Sequence, residues 1–545
     1  RLVRGRGTTG LMEVPAKALC VVCIVLFSLL LRLSVSSGTY SGHATPPMYG
    51  DYEAQRHWME ITVNLPLKEW YHNTTDNDLL YYYPPLTAYV SWCFGKLAEV
   101  IEPGLVQLHA SRGYESTSSK LFMRWSVVAS DLLLFIPVAI YYALNCSSVA
   151  VTQVTLACLL FLLCQPSLIL VDHGHFQYNG IMLGLALCAI VCISKGAMFQ
   201  SSSAAGLDKL GGVFFCLSIM FKQMALYYSL AFFAYLLGRA FFGLLSVGNR
   251  AGGDRLRHTS RNVLSVALMG VTVFVSFGCC LAPFYVEGGI DGVKQVVHRM
   301  FPLARGMFED KVANFWCTSN VVLKWSRYLS KEGAVVPCLV LTVASLLPSM
   351  YRLATSPSFP RFLLSLCVSS FSFFLFSFQV HEKSILLVIL PVMLLVPWGP
   401  LYALAASWMT AIACFRFSRC CNYLSMYPLL HKDGLTVPYI ALQILCVGGG
   451  HLLSTAWVMW HAYFVARQFS NKTIQRADAC VSGSAMSIRI IHQISSMGCV
   501  IIHILAVALP ASSRYPDLVL LLFAVYSFAH FFAFWFVAVV VQWRL

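Results

Sequence analysis

Apolar runs long enough to cross a bilayer as a helix, ~20 residues each, recur from one end of this chain to the other. They place about fourteen spans, at residues 17–35, 124–144, 150–170, 180–194, 209–223, 225–243, 263–283, 335–350, 362–379, 384–396, 398–415, 436–464, 486–509 and 516–541. The polar intervals between them sort by charge. Arg1, Arg4 and Arg6, the loop NRAGGDRLRHTSRN (249–262), YRLATSPSFPR (351–361) and ARQFSNKTIQR (466–476) all fall on one side. Excess Lys and Arg marks cytosolic loops, so that side is the cytosol. The opposite side receives two long loops, and the chain divides into a cytosolic N-terminus (1–16), a first span (17–35), a first far-side loop (36–123), spans over 124–283, a second far-side loop (284–334) and C-terminal spans (335–545). The expected fold is all-α and polytopic, with short amphipathic helices in the far-side loops.

Five polar segments emerge on the far side: YGDYEAQRHWMEIT (49–62), DHGHFQYN (172–179), FKQMALYY (221–228), HRMFPLARGMFEDKVANFW (298–316) and FQVHEKSILL (378–387). Polar groups that reach membrane depth are costly and mark functional sites, so their convergence on one face predicts a single site there. In the first, Ala54, Trp58, Ile61 and Leu65 share one helical face while Glu53, Arg56, His57 and Glu60 share the other. That pattern reads as an amphipathic interfacial helix. Its charges serve either a site or a solvated face laced by i,i+3 and i,i+4 pairs. Asp51 stands where an N-cap belongs.

Composition sharpens this picture. The 545 residues are 58% hydrophobic and 11% charged, which excludes a soluble enzyme, and the formal charge of +15 is explained by cytosolic loops rather than nucleic-acid binding. The cysteines sit mostly within apolar runs, where they act as small hydrophobes, and their spacing suggests neither a disulfide framework nor a metal site. The basic N-terminus followed by an apolar run reads as an uncleaved first span. In DHGHFQYN, Asp172, His173 and His175 are good metal ligands but lack a third well-placed partner or a helical i,i+4 pair. Together with Gln177, Tyr178 and Asn179 they suit polar gripping of a sugar or phosphate. His381 and Lys383 close a span, either as an anchored snorkelling end or beside a phosphate. Arg299, Arg305 and Lys311 have the chemistry to meet a phosphate at the membrane surface, or are plain surface charge. No Walker loop, dinucleotide fingerprint or metal–diphosphate acid pair is present, which disfavours ATP and nucleotide-sugar substrates and leaves a lipid-borne phosphate.

GDYEAQRHWMEIT, YPPLTAY, DHGHFQYN, FKQMALYY, FPLARGMFEDKVANFWC and FQVHEKSILL together resemble the endoplasmic-reticulum glucosyltransferases that use dolichyl-phosphate-glucose, in the GT-C class, and more closely those that add the first glucose than those that add the second. The motifs run from about residue 38 to 435. The resemblance implies a GT-C-type bundle in the endoplasmic-reticulum membrane with a lumenal site. It implies a dolichyl-phosphate-β-D-glucose donor, a Man9GlcNAc2 acceptor on dolichyl diphosphate, and an inverting transfer that makes an α-1,3 linkage. It also implies no metal and no other cofactor, with the two lipid substrates and membrane lipid as partners and no nucleic acid. Asp51 matches the general base. His381, Lys383, Arg299 and Arg305 become donor-phosphate residues, and Glu53, Arg56 and residues 172–179 become sugar-subsite residues. One departure stands out: the family reads LDYPPLTAY where this chain reads YYYPPLTAY, so at Tyr82 either Asp76 or Asp78 moves in to supply the acid or the acid is dispensable. A transporter would also place polar turns at span ends, but repeated halves and broken-helix Gly/Pro pairs are not evident. A non-catalytic subunit of a glycosylation complex is the third class, distinguished by inactivity with both lipids supplied.

Overall fold

The computed structural model describes residues 10–46, 50–72, 83–145, 152–198, 202–245, 252–301, 312–330, 332–414 and 518–545, with short pieces between 437 and 505. Every regular element among the described residues is helical. α1 (Gly10–Ser36) is followed by α2 (Asp51–Asn64) and α3 (Pro85–Ile101). α4 (Thr117–Ser130) passes through a π-helical stretch, Asp131–Phe135, into α5 (Ile136–Asn145). Then come α6 (Thr152–Leu163) and α7 (Pro166–Ile169), the latter continuing as a second π-helical stretch, Leu170–Phe176. α8 (Asn179–Met198), α9 (Ser202–Phe221), α10 (Ser229–Leu245) and the long α11 (Gly252–Met300) precede the short α12 (Phe315–Leu323). α13 (Val335–Thr355), α14 (Phe359–Phe376), α15 (Ile385–Leu394), α16 (Pro400–Cys414) and α17 (Leu518–Arg544) complete the described part.

Eight stretches among the described residues are long and apolar enough to span a membrane: Ala16–Ser36, Thr117–Asn145, Gln153–Phe176, Asn179–Met198, Val263–Met300, Val335–Thr355, Phe359–Phe376 and Leu521–Arg544. The chain is a multi-pass membrane protein. The expected pair at 209–243 is two helices, α9 and α10, separated by a 3₁₀ turn at Gln223–Tyr228. The expected spans 436–464 and 486–509 lie largely outside the described residues.

Three stretches differ in local structure from the outline above. Residues 85–101, placed within a loop, form α3. The proline pair of YPP starts it: Pro84 is the extended N-cap and Pro85 the first helical residue, where a missing N–H costs nothing. Residues 284–300, also placed in a loop, continue α11 through a kink at Gly289, whose φ of 60° only glycine adopts without strain. Asp172, His173 and His175, expected in a turn between spans, lie on the π-helical end of the preceding helix and are buried. Asp172, His173 Nε2 and His175 Nε2 find polar partners inside the bundle.

Those partners begin with α1. Arg32, near its C-terminal end, is fully buried. Its Nε donates to Asp131 Oδ2 at 2.7 Å and its Nη1 to the carbonyls of Leu163 (2.7 Å) and Ser28 (3.2 Å). His173 Nε2 lies 2.9 Å from the same Asp131 oxygen. One buried ion pair thus ties α1, the first π stretch, α6 and the second π stretch together. The approach leaves room only for glycine at 180, where a Cβ would stand 2.1 Å from Asp131 Oδ1.

Candidate functional site

α2 begins at Asp51 with Gly50 as its N-cap, so the expected N-cap role for Asp51 is corrected. A Cβ at Gly50 would meet Ser41 Oγ at 2.0 Å, and that oxygen accepts the Asp51 amide hydrogen at 3.1 Å. With the first turn closed by Ser41, the Asp51 carboxylate is released for other partners. The rest of α2 departs from the amphipathic expectation, because Tyr52–Thr62 is buried throughout. Its charged face is covered by the 105–113 segment rather than by water. Arg56 donates to both oxygens of Glu53 (2.8 and 2.7 Å), to Glu60 (2.6 Å), to the Leu105 carbonyl (2.9 Å) and to Ser111 Oγ (2.5 Å). Glu53 accepts from the Gly113 amide (3.2 Å) and Glu60 from the His109 amide (2.8 Å). Burial pushes Glu60 up, but His57, Arg56 and that amide outweigh it and bring its carboxyl down to about 2. Glu53 and Arg56 are thus spent on holding α2 to the 105–113 segment, not turned towards the Asp51 carboxylate.

Three side chains from two other segments converge on Asp51. Phe176 adopts φ 89°, a conformation that non-glycine residues rarely enter. It is held there by burial, by edge contacts with Tyr52 and Tyr178 at 5.0 and 5.6 Å, and by the Arg124 guanidinium at 5.8 Å. Around that bend, His175 Nε2 reaches Asp51 Oδ2 at 3.1 Å and Gln177 Nε2 donates to the same oxygen. Arg124 fixes the backbone behind them, donating to the carbonyls of His173 (2.6 Å), Gly174 (2.9 Å) and Thr39 (2.8 Å). Ser41 N donates to the His175 carbonyl at 3.1 Å, which docks the loop before α2 on the same segment.

The third arm is Lys383, on a 3₁₀ turn, Glu382–Ser384, entered through Gln379 at φ 57°. Its ammonium ion-pairs with Asp51 Oδ2 and lies 3.0 Å from His175 Nε2. All three partners use Oδ2, and the Asp51 side chain keeps 13% of its exposure. Burial raises the Asp51 carboxyl, and Lys383 and His175 more than offset this, leaving it well below the usual carboxylate range. The triangle carries a proton choice. His175 Nε2 accepts from Lys383 when its proton sits on Nδ1, and donates to Asp51 when the proton sits on Nε2. It cannot do both at once.

Behind Gln177 the network continues. Lys222 Nζ donates to Gln177 Oε1 (2.8 Å) and Asn179 Oδ1 (2.7 Å). Asn179 Nδ2 donates to Asp172 Oδ1 (2.7 Å) and Gln177 Oε1 (2.9 Å), and the Gly180 amide donates to Asp172 Oδ2 (2.7 Å). Of the residues read from the sequence, the structure therefore gathers Asp51, His175, Gln177 and Lys383, with Asn179 and Asp172 one layer behind. His173 belongs to the Arg32–Asp131 pair. Tyr178 is buried, its hydroxyl 2.5 Å from Ser126 Oγ and its ring stacked on Phe94. His381 pairs with Glu382 at 2.9 Å and is the more exposed of the two. Burial raises Glu382, but His381 and Lys383 bring it down to about 2. Arg299 donates to the Tyr71 carbonyl at 3.2 Å, near the cluster of Trp58, Tyr71, Tyr83 and Phe284. Arg305, Lys311, Asp76, Asp78 and Tyr82 lie outside the described residues. Lys222 and Ser41 were missed as site residues. A lone lysine at a span end reads as an anchor, and nothing in the spacing separates the two roles.

Residues 24–537 match the model of the ALG6, ALG8 glycosyltransferase family. A Dictyostelium discoideum protein named "Probable dolichyl pyrophosphate Man9GlcNAc2 alpha-1,3-glucosyltransferase" is 40% identical over 515 residues, 94% of this chain and 92% of its own length. The Gallus gallus "Dolichyl pyrophosphate Man9GlcNAc2 alpha-1,3-glucosyltransferase" is 44% identical over 418 residues, 76% of this chain and 75% of its own. Among solved structures, ArnT from Cupriavidus metallidurans bound to undecaprenyl phosphate overlaps 96% of this chain and 77% of its own at 14% identity and a TM-score of 0.39, a likeness too loose to carry an argument. On the family match and the two relatives, the chain belongs to the ALG6, ALG8 glycosyltransferase family.

Proposed function

We propose that this protein is an inverting, GT-C-type glucosyltransferase of the endoplasmic-reticulum membrane, acting on the lumenal face in lipid-linked oligosaccharide assembly for protein N-glycosylation. It moves glucose from dolichyl-phosphate-β-D-glucose to Man9GlcNAc2 on dolichyl diphosphate, forming an α-1,3 linkage. The observation that carries this reading is the Asp51 carboxylate, paired with Lys383, within a chain whose relatives bear that name.

Transfer with inversion needs one base for the acceptor hydroxyl and a leaving group that departs without an acid. A single carboxylate therefore suffices, unlike the pair used in glycoside hydrolysis. With Oδ2 occupied, Oδ1 of Asp51 takes the hydroxyl proton as the acceptor oxygen bonds to the anomeric carbon. The bond from that carbon to the phosphate oxygen breaks, and its electron pair leaves with dolichyl phosphate. Lys383 is placed to follow that charge. Drawn towards the donor phosphate, it loosens from Asp51 and makes the carboxylate more basic when a donor is present, while His175 and Gln177 keep it aimed. His381 joins Lys383 at the phosphate, with Arg299 and Arg305 as further candidates. His175 and Gln177 border the sugar. Glu53, Arg56, Asp172, Tyr178 and Asn179 support this site from behind, because their polar atoms are already taken, and His173 does so through Asp131.

Purified protein supplied with synthetic dolichyl-phosphate-glucose and Man9GlcNAc2-diphosphate lipid should form the monoglucosylated product. An acceptor that already carries the first glucose should not react. Reaction with that acceptor alone would assign the second-glucose step, and no transfer to either would refute the reading.

A further inference from the structure

The segment FKQMALYY carries a buried charge with no place in the reaction above. Lys222 is the residue between α9 and the turn Gln223–Tyr228, and it is buried. Its ammonium meets two side-chain amides by their oxygens, Gln177 Oε1 at 2.8 Å and Asn179 Oδ1 at 2.7 Å. An ammonium has three donors and no acceptor, so only the oxygen end of an amide can face it. With Oε1 fixed on Lys222, the other end of Gln177 must present N–H groups to Asp51, and it does. Asn179 is oriented in the same way, its Nδ2 turned to Asp172 Oδ1 at 2.7 Å. Asp172, buried behind the pair, supplies the opposite charge, and its second oxygen is held by the Gly180 amide.

We propose that Lys222 is a positioning residue: by holding the Gln177 oxygen it forces the amide nitrogen onto the catalytic carboxylate and keeps Asp51 deprotonated and aimed. Without that cation only the Asn179 Nδ2 hydrogen bond, at 2.9 Å, still holds the Gln177 oxygen, and the amide rotates by half a turn more readily. Its oxygen then faces Asp51 Oδ2, and two acceptors face each other unless the carboxylate takes a proton. A donor to the charged form favours it and an acceptor disfavours it, so the flipped amide raises the pH at which Asp51 ionises. The other charged and titratable groups around Asp51 stay in place: Lys383 and His175 in direct contact, Glu53 two residues along α2 and committed to Arg56, and Asp172 behind Asn179. Lys222 and Asp51 also interact through space, so the part of the effect transmitted through Gln177 is the part that disappears once Gln177 is removed.

The inference rests on the proposed reaction, and its test separates the two. Full-length protein in nanodiscs is assayed with dolichyl-phosphate-glucose and the Man9GlcNAc2 lipid across pH, for wild type, Lys222→Met, Lys222→Arg, Gln177→Leu and the Lys222→Met/Gln177→Leu double variant. An inert wild type overturns the reaction. With an active wild type, Lys222→Met is expected to lower kcat by roughly 10²-fold, the scale of a misplaced catalytic group. It should also move the acid limb of the profile to higher pH, while Lys222→Arg keeps the wild-type limb. In the Gln177→Leu background, Lys222→Met should move the limb by clearly less than it does with Gln177 present. A fall in kcat with an unmoved limb, or an equal shift with Gln177 already removed, overturns the positioning role. If Lys222→Met does not accumulate as a folded protein, Lys222→Gln is read by the same two criteria, since it removes the charge and retains a polar side chain.

Discussion

Two clusters in this bundle are built from the same three kinds of group and do different things. Asp131 meets Arg32 and His173, and Asp51 meets Lys383 and His175, with cation and imidazole sharing one carboxylate oxygen in both. The first is closed: the Asp131 side chain is 2% exposed and Arg32 not at all, against 13% for Asp51. Arg32 Nη1 also donates to two backbone carbonyls, so the guanidinium has commitments besides Asp131. A guanidinium is planar and preorganised for such a place, whereas an ammonium is a compact charge on a flexible stem that can change partners. The lesson is that composition does not separate a structural carboxylate from a reactive one. The cation's other commitments and the carboxylate's remaining exposure do.

The largest expected effect tests the open cluster directly. Asp51→Asn keeps the shape and cannot accept a proton. Turnover should fall by ~10²–10⁴-fold, the contribution of a positioned base, while membrane insertion and thermal midpoint hold. Near-normal transfer by this variant would move the base elsewhere and erase the contrast with Asp131.

Asp131→Asn is the matching change in the closed cluster, and its effect should appear in stability. Removing one partner strands a buried charge at a cost of ~3–5 kcal/mol, here Arg32. The expected outcome is a lower thermal unfolding midpoint and poor accumulation. The protein that does fold should keep a substantial share of wild-type turnover and a pH profile with an unmoved acid limb. A stable variant with a moved limb would make the two clusters one functional unit.

Lys383→Ala comes next, with a loss of roughly ten- to a thousand-fold for one charge-stabilising group, felt more in use of the donor than of the acceptor. It carries a pH signature with a definite sign. In the wild type Lys383 and His175 hold Asp51 well below the usual carboxylate range despite burial, so the base stays ionised as pH falls through that range. Without Lys383 burial prevails, the carboxyl rises, and the acid limb of kcat/KM should move to higher pH. A limb that stays in place, with turnover intact, would reduce Lys383 to an anchor for its turn.

What the sequence made legible follows from what each signal measures. Long apolar runs report helices reliably, so α1, α8, α13 and α14 stand where hydropathy puts them. α3 escaped because its apolar run is short and interrupted by Lys96 and Glu99, so it does not read as a span. In α2 the helical period was legible, but the burial of its charged face was not, since burial depends on the 105–113 segment folding back. Asp51, His175, Gln177 and Lys383 were legible as polar residues at span ends. The Arg32–Asp131 pair was not, because each stands alone within an apolar run and their partnership spans 99 residues of chain. Lys222 shares that difficulty: its role depends on which end of Gln177 it touches.

The smallest expected effect is none, and it bears on why the open cluster holds a lysine. A sugar leaving with diphosphate commonly draws on a divalent ion held by carboxylates, whereas a monophosphate carries less charge and can be met by side chains. At this site the place beside the Asp51 carboxylate where a cation would stand is filled by the Lys383 ammonium. The neighbouring carboxylates are committed too, Glu382 to His381, and Asp172 to Asn179 and the Gly180 amide. A metal ion would have to displace Lys383 and then compete with it for the same oxygen. Transfer by the purified protein should therefore proceed at the same rate in excess EDTA as in Mg²⁺ or Mn²⁺. A rate abolished by EDTA and restored by either ion would mean that the carboxylate is a ligand, that Lys383 is displaced in the working state, and that the open cluster differs from the closed one by a metal rather than by a mobile lysine.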